Sequence, residues 1–383
     1  MISIYRIVIY TINIPVFFLS KITPRKKRTW VFGSWFGMKY ADNSKYLFEY
    51  VNAHRTDVNA VWLSVDNATV KQIREKGYKA HLSYSLAGYY YSLTASIGFI
   101  CCWYSDINLF ARPKHIINLW HGNPLKKIVH DDNKKKSKST RDYFKELFFP
   151  FTKEDFSRAT IICSSSTEAI NMASAFSVST DSIAITGLPR NEVFDQRIPR
   201  PLTKVIYMPT HRGEGKGCRV VRDSLEKNML FIDRALKEID VTLYVKLHHY
   251  EISESLTDTE NIKVICDEEI SGDIYSIINN MDALVTDYSS IYFDFLLSGK
   301  PIIFFPLDMA EYLNSDREFY YDYDNVAPGP KCMSWSAVLE SIGALKTNPC
   351  LYQEERESIK NKFHAYTDRN YCKRIASLAD NLS

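Results

Sequence analysis

The sequence predicts an α/β protein of two domains, each built on a parallel sheet. Three observations carry this. Short apolar, β-branched runs recur along the chain with helical-looking stretches between them. The alternation breaks once, at a segment rich in proline and charge, and then restarts. The 383 residues also exceed what one ordinary core takes up, at about 100–200 residues per domain.

Residues 1–28 stand apart. Positions 2–19 are mostly apolar, interrupted by Arg6, Asn13 and Pro15, and the cluster PRKKR (24–28) follows. A secretory signal carries its charge before the apolar region and a small-residue cleavage site after it, and this segment fits neither pattern well. The run lies near the lower limit for a spanning helix, about 20 apolar residues. Spanning would keep the Lys/Arg cluster and the body of the chain in the cytoplasm. A helix lying in the interface would set Arg25–Arg28 on anionic headgroups, and a soluble protein would simply bury it. The expectation is a membrane-associating helix on the cytoplasmic face, with spanning and lying flat both open.

The first α/β domain is expected over 29–190. Its strand candidates are TWVFGS (29–34), AVWLSV (60–65), IGFICC (97–102), HIINLW (115–120), ATIICSS (159–165) and SIAITG (182–187), with helical stretches such as 43–54 and 70–77 between them. Residues 191–203 read as a linker. The second domain, 204–350, offers KVIYMPT (204–210), VTLYVKLHH (241–249), NIKVICD (261–267), DALVTDYSS (282–290) and KPIIFFP (300–306), and 351–383 reads as a helical segment. Open parallel sheets bind ligands beyond the carboxyl ends of their strands, so two such domains are expected to face each other across a cleft.

Composition narrows the chemistry. At 45% hydrophobic and 24% charged residues the chain is globular, and a net charge of +3 does not mark a bulk polyanion binder. The basic loop KKKSKSTR (134–141) suits an anionic acceptor or a membrane, or is a solvated loop. The basic runs lack an aromatic reading surface, which argues against nucleic acid. Eight scattered cysteines form no C-x-x-C pair, and Cys101 and Cys102 lie together in an apolar run; this reads as reduced cytosolic thiols without a zinc site. Neither G-x-G-x-x-G nor a P-loop is present.

Polar clusters follow the strands. In NLWHGNPLKK (118–127) a turn needs Gly122 and Pro124 but not His121, whose ordinary pKa of about 6.5 suits a general base. Lys126 and Lys127 would add positive potential there. In 283–305, Asp287, Ser289 and Ser290 are helix N-cap types before an apolar helix of about two turns that Gly299 stops, with Asp294 one turn on. Amides and hydroxyls at that helix start suit an anion, although capping alone would explain much of it. YMPTHRGEGKG (207–217) presents Thr210, His211 and Arg212 to phosphate, or is an ordinary loop. YVKLHHY (244–250) ends a strand with Lys246, His248 and His249, of which at most one histidine faces a cleft. Arg190 stands at the mouth of the linker. Together these suggest a base opposite a pyrophosphate site.

WHGNPLKK, GLPRNEVF, YMPTHR, KLHH, VTDYSSIYFDFLLSGKPIIFF and YYDYDNVAPGP (320–330), in that order, resemble the CDP-glycerol glycerophosphotransferase family of teichoic acid primases, polymerases and related capsule enzymes, as does residues 31–51. The resemblance covers roughly 30–375. It implies a GT-B fold of two Rossmann-like domains, location at the inner face of the bacterial membrane, and transfer of glycerol phosphate from CDP-glycerol to a hydroxyl of a lipid-linked saccharide or growing polymer, with release of CMP. Carried onto matching positions, it implies His121 as the base and His248 on the pyrophosphate. Gly122, Asn123, Pro124 and Leu125 would form a donor-contacting loop. Arg190, Pro209, Thr210, Lys246, Leu247, Ser289, Ser290 and Asp294 would complete the donor site, with Arg212 and Asp287 beside them. No cofactor or metal is implied. Asn123 stands where the family often has threonine, His211 where an aromatic residue is common, and Lys246 where arginine is common. CDP-ribitol therefore stays open as donor, as do a UDP-sugar transferase or epimerase, a non-catalytic membrane scaffold, and assembly as a homo-oligomer.

Overall fold

A computed structural model describes all residues except 1–3, 133–138, 196–200, 211–215, 248–255, 267–269, 271–272, 310–311 and 313–317. The chain forms two compact units. The first comprises Met1–His121, Lys135–Glu192 and Asp368–Ser383, and the second Gly122–Lys134 and Val193–Thr367. Two departures from the expected boundaries follow. The Gly122–Lys134 segment belongs with the second unit. The C-terminal helical segment is divided, because the chain breaks between Phe363 and Tyr371 and its two helices belong to different units.

In the first unit the strands are β1 (Lys26–Phe32), β2 (Asn59–Ser64), β3 (Ala80–Leu82), β4 (Ala95–Ile100), β5 (His115–Asn118), β6 (Ala159–Cys163) and β7 (Ile183–Ile185). Its helices are α1 (Ile4–Ile22), α2 (Asp42–His54), α3 (Asn67–Glu75), α4 (Leu86–Thr94), α5 (Thr140–Phe148) and α6 (Ser166–Phe176). The second unit carries β8 (Lys204–Tyr207), α7 (Lys216–Glu238), β9 (Thr242–Val245), β10 (Ile262–Val264), α8 (Tyr275–Ile278), β11 (Ala283–Thr286), α9 (Ile291–Phe295), β12 (Ile302–Phe304), α10 (Trp335–Thr347) and α11 (Gln353–Phe363). The last helix, α12 (Tyr371–Leu382), returns to the first unit. The short strand β3 has no counterpart among the strand candidates, because AHL is too brief to show a period.

The first sheet runs β3-β2-β1-β4-β5-β6-β7 and the second β10-β9-β8-β11-β12, with every pairing parallel. Strands such as β4 and β11 are buried at every position, as expected of a parallel sheet covered on both faces. Each order reverses once, between β1 and β4 and between β8 and β11. Such a switch point leaves a crevice where two neighbouring loops diverge, and ligands bind there.

The first core gathers Trp30, Phe32, Trp62 and Phe99 with Leu47, Phe48 and Val51 of α2 and Cys372, Ile375, Ala376 and Ala379 of α12. The second gathers Tyr207, Val245, Val285 and Phe305 with α7 and α10. Helix α1 is docked on the first unit along one face: Tyr10 and Phe17 pack their rings on Phe151, and Asn13 accepts a hydrogen bond from the Tyr89 hydroxyl at 2.7 Å. The basic cluster is not free to meet headgroups as a block. Arg25 donates to the carbonyls of Ser92 and Leu93, and Arg28 pairs with Asp57 and Asp380 where β1 begins.

Ile375 is wholly buried. Ile375→Ala is expected to destabilise the first unit by about 2–5 kcal/mol through the cavity it leaves, against a small effect for Leu230→Ala on the exposed face of α7. Denaturant unfolding followed by tryptophan fluorescence checks both.

Candidate active site

At the first switch point the loop after β1 and the loop after β4 diverge, and β5 delivers His121 beside them. Its Nδ1 lies 2.9 Å from the carbonyl oxygen of Cys101 and 3.7 Å from Cys102 Sγ. A carbonyl only accepts, so Nδ1 carries the proton and Nε2 is left with its lone pair. The ring is flanked by Trp120, with centroids 4.0 Å apart, and Trp35, at 5.3 Å. Burial works against protonation of His121, and Cys102, Asp42 and the Cys101 carbonyl outweigh it, so its pKa is raised above the ordinary value.

The backbone around this niche is strained. Trp35 (φ +48°), Phe36 (+58°), Asp42 (+63°) and Trp120 (+49°) all occupy the left-handed region that disfavours side chains with a Cβ. Hydrogen bonds hold them. Asn43 Nδ2 donates to the carbonyls of Leu119 (3.2 Å) and Trp120 (2.9 Å), and its Oδ1 accepts the backbone N–H of Arg190 (3.1 Å). Asp106, fully buried, accepts from the N–H groups of Phe36, Cys101 and Cys102 at 2.7–2.8 Å. Gly33 permits this packing: a Cβ there would lie 1.9 Å from the Asp106 carbonyl oxygen.

Arg190 is placed in the first unit. Its guanidinium lies 2.8 Å from Asp42, both side chains being buried. Removing one partner of such a pair leaves a charge without compensation. Arg190 therefore shapes the His121 niche.

In the second unit the switch point brings the ends of β8 and β11 together. Asp287 Oδ1 accepts from both the N–H (2.8 Å) and the hydroxyl (2.6 Å) of Thr210. Its carboxylate thus straps two strand ends and does not cap a helix. Ser289 and Ser290 are half-buried, and Ser290 opens α9 with no side-chain capping bond. The helix continues through the turn Leu296–Ser298 to Gly299 at φ +70°. Asp294 is buried and accepts from the Tyr275 hydroxyl at 2.6 Å. Pro209 is half-buried, Leu247 is buried, and Lys246 at the end of β9 donates to the Leu247 carbonyl at 2.8 Å. His248, Arg212, His211 and His249 lie outside the described residues.

Gly122 (φ +131°), Asn123, Pro124 and Leu125 form a buried turn. Leu125 accepts the N–H of Tyr320 at 2.8 Å. The two following lysines are engaged: Lys127 pairs with Glu318 at 2.5 Å, and Lys126 lies over the Tyr312 ring. The Asn123 amide is wholly buried, and among the described residues neither its oxygen nor its nitrogen has a hydrogen-bond partner.

The matched family model, CDP-glycerol:poly(glycerophosphate) glycerophosphotransferase, spans residues 16–379. The chain belongs to this family. It is a glycerophosphotransferase that uses CDP-glycerol. It is 29% identical to the teichoic acid glycerol-phosphate transferase of Staphylococcus aureus, covering 93% of each chain. It is 26% identical to a teichoic acid poly(glycerol phosphate) polymerase of Bacillus spizizenii, covering 89% of this chain and 90% of that one. The fold matches the wall teichoic acid polymerase TagF with a TM-score of 0.77 at 22% identity, covering 98% and 96% of the two chains. A glycosyltransferase of kitacinnamycin shares the fold more distantly, with a TM-score of 0.53 at 12% identity.

Several residues of this glycerophosphotransferase that build the niche were not singled out from the sequence: Trp35, Asp42, Asn43 and Asp106. Trp35, Asp42 and Asn43 lie in a stretch that already resembled the family, which is the one signal pointing to them, and Asp106 has none. Cys101 Sγ, Cys102 Sγ and an Asp106 oxygen lie within 4.8 Å of one another, but both carboxylate oxygens already accept amides, so the cluster belongs to the hydrogen-bonded frame of the niche.

The two orphan groups of Asn123 cost stability in the free protein, about 1–3 kcal/mol each when desolvated. Asn123→Leu is expected to keep or raise the melting temperature while lowering donor turnover. Calorimetry and a CMP-release assay measure the two effects.

Proposed function

We propose that His121 takes the proton of the acceptor hydroxyl while that oxygen attacks the β-phosphorus of CDP-glycerol. The bond from this phosphorus to the bridging oxygen breaks, CMP leaves with the electron pair, and glycerol phosphate is joined to the acceptor. The observation that carries this is the Nδ1 bond to Cys101, which leaves Nε2 free to receive a proton. Within this scheme the second unit holds the donor. Lys246, His248, Arg212 and the Ser289–Ser290 turn offset the charge that develops on the phosphates.

The acceptor is a lipid-linked saccharide or a growing polymer of the teichoic acid or capsule type. Adding CDP-glycerol, CDP-ribitol or UDP-sugars together with a lipid-linked disaccharide, and weighing the products, separates the donors. One added glycerol phosphate marks a primase and a ladder marks a polymerase. Absence of CMP release with every donor would leave only a scaffold.

His121→Ala is expected to abolish transfer while CDP-glycerol still binds; near-normal turnover would remove His121 as the base. A base works unprotonated, so kcat/KM should fall as pH drops through a pKa above the ordinary value of about 6.5. Because Cys102 is among the groups that raise it, Cys102→Ala should move this acid limb to lower pH.

We also propose that the first unit rests on the cytoplasmic face of the membrane with α1 lying flat. The helix is long and apolar enough to span, but its Tyr10 and Phe17 are tied into the unit. Ile4, Tyr5, Val8 and Ile12 are exposed on α1, and Tyr143, Phe144, Leu147 and Phe148 are exposed on α5. Tyr10 packs on Phe149 at the end of α5, with centroids 5.3 Å apart, so the two helices are neighbours. Interfacial helices present such faces to the headgroup boundary. Changing Phe144 and Leu147 together to Glu is expected to weaken sedimentation with phosphatidylglycerol vesicles several-fold. Unchanged sedimentation would rule α5 out of the contact.

A further inference from the structure

We infer that Asp106 is a positioning residue that holds and polarises His121 through a single peptide plane. The inference rests on His121 acting as the base.

Oδ2 of Asp106 accepts the N–H of Cys102 at 2.7 Å. That N–H belongs to the same peptide unit as the Cys101 carbonyl, which accepts from His121 Nδ1 at 2.9 Å. A trans peptide is rigid and planar, and its N–H and C=O point in opposite directions. Fixing one end therefore fixes the other. The carboxylate sits behind the plane and the imidazole in front of it.

The effect is electrostatic as well as geometric. A carboxylate on the N–H makes the carbonyl of that amide a stronger acceptor, since hydrogen bonds in a chain polarise one another. A stronger acceptor at Nδ1–H favours the imidazolium that forms when Nε2 takes the acceptor's proton. Asp106 thus acts on the histidine as a directly bonded carboxylate would, with one peptide between them.

Two further bonds confirm that the carboxylate is fully committed to this niche. Oδ2 also accepts the Cys101 N–H at 2.8 Å, and Oδ1 accepts the Phe36 N–H at 2.7 Å. Phe36 follows Trp35, whose ring flanks His121. One buried side chain therefore sets two walls of the niche, one from the loop after β1 and one from the end of β4. Titratable neighbours of His121 are Cys102 and Asp42; those of Asp106 are Cys101 and Cys102.

Asp106→Asn keeps the shape and turns one acceptor into a donor facing backbone N–H groups. In the full-length protein with CDP-glycerol and a lipid-linked saccharide, kcat is expected to fall about 10- to 100-fold, by analogy with losing the carboxylate that orients a metal-bound histidine. KM for CDP-glycerol should stay within about threefold of its original value, because the donor groups are elsewhere. The acid limb of kcat/KM should move to lower pH. Near-normal kcat with an unmoved acid limb overturns the inference. Should Asp106→Asn fail to fold, nitrogen-15 spectra of histidine-labelled unaltered protein decide instead. The neutral His121 ring should be protonated at Nδ1, and protonation at Nε2 overturns the inference. His121→Ala keeps the two questions apart. If it retains activity, the base assignment itself fails. If it is inactive while Asp106→Asn is fully active, only the role of Asp106 fails.

Discussion

The hydrogen bond from His121 Nδ1 to the Cys101 carbonyl is the constraint around which the first unit is arranged. It decides which ring nitrogen is basic. It exists only because β4 and β5 pair in parallel, with Ile100 opposite Asn118, so that both strands end level. The strained residues of this niche, Trp35, Phe36, Asp42 and Trp120, lie in the loops around this bond and at the start of α2. Asn43, Asp106 and the Asp42–Arg190 pair hold those loops in place, offsetting conformations that cost of order 1–3 kcal/mol each.

The second unit repeats the device. In both sheets a carboxylate just past the strand beyond the switch point accepts a backbone N–H from the loop after the central strand. Asp106, after β4, takes Phe36, after β1. Asp287, after β11, takes Thr210, after β8. The physical reason is shared. Diverging loops expose amides that no sheet ladder satisfies, and a buried carboxylate accepts several of them at once. At one switch point this sets the surroundings of a base. At the other it ties Thr210, just past β8, to the end of β11.

Much of the fold was legible because buried parallel strands leave continuous apolar runs. HIIN, ALVT and KVIY each became a strand, although each is shorter in the structure than its apolar run suggested. The polar ends of those runs, such as PT after β8 and DYSS after β11, form the strand-end loops. The clusters were legible as positions but not as partnerships. Asp287 looked like a cap and is a strap. Arg190, expected in the donor site, has Asp42 as a buried partner. Lys127, expected to add positive potential, pairs with Glu318.

By itself the sequence determined the α/β class, the parallel sheets, the family and His121 as the residue a turn does not need. These follow from local pattern and ordered motifs, which survive in one dimension. Only the tertiary structure decided the tautomer of His121, the commitment of Asp106 to its peptide plane and the partition of the C-terminal helices between two units. Each depends on groups far apart in the chain, such as Asn43 with Arg190 or Phe36 with Asp106. Hydrogen-bond direction and burial are properties of assembled surfaces, and no local pattern encodes them.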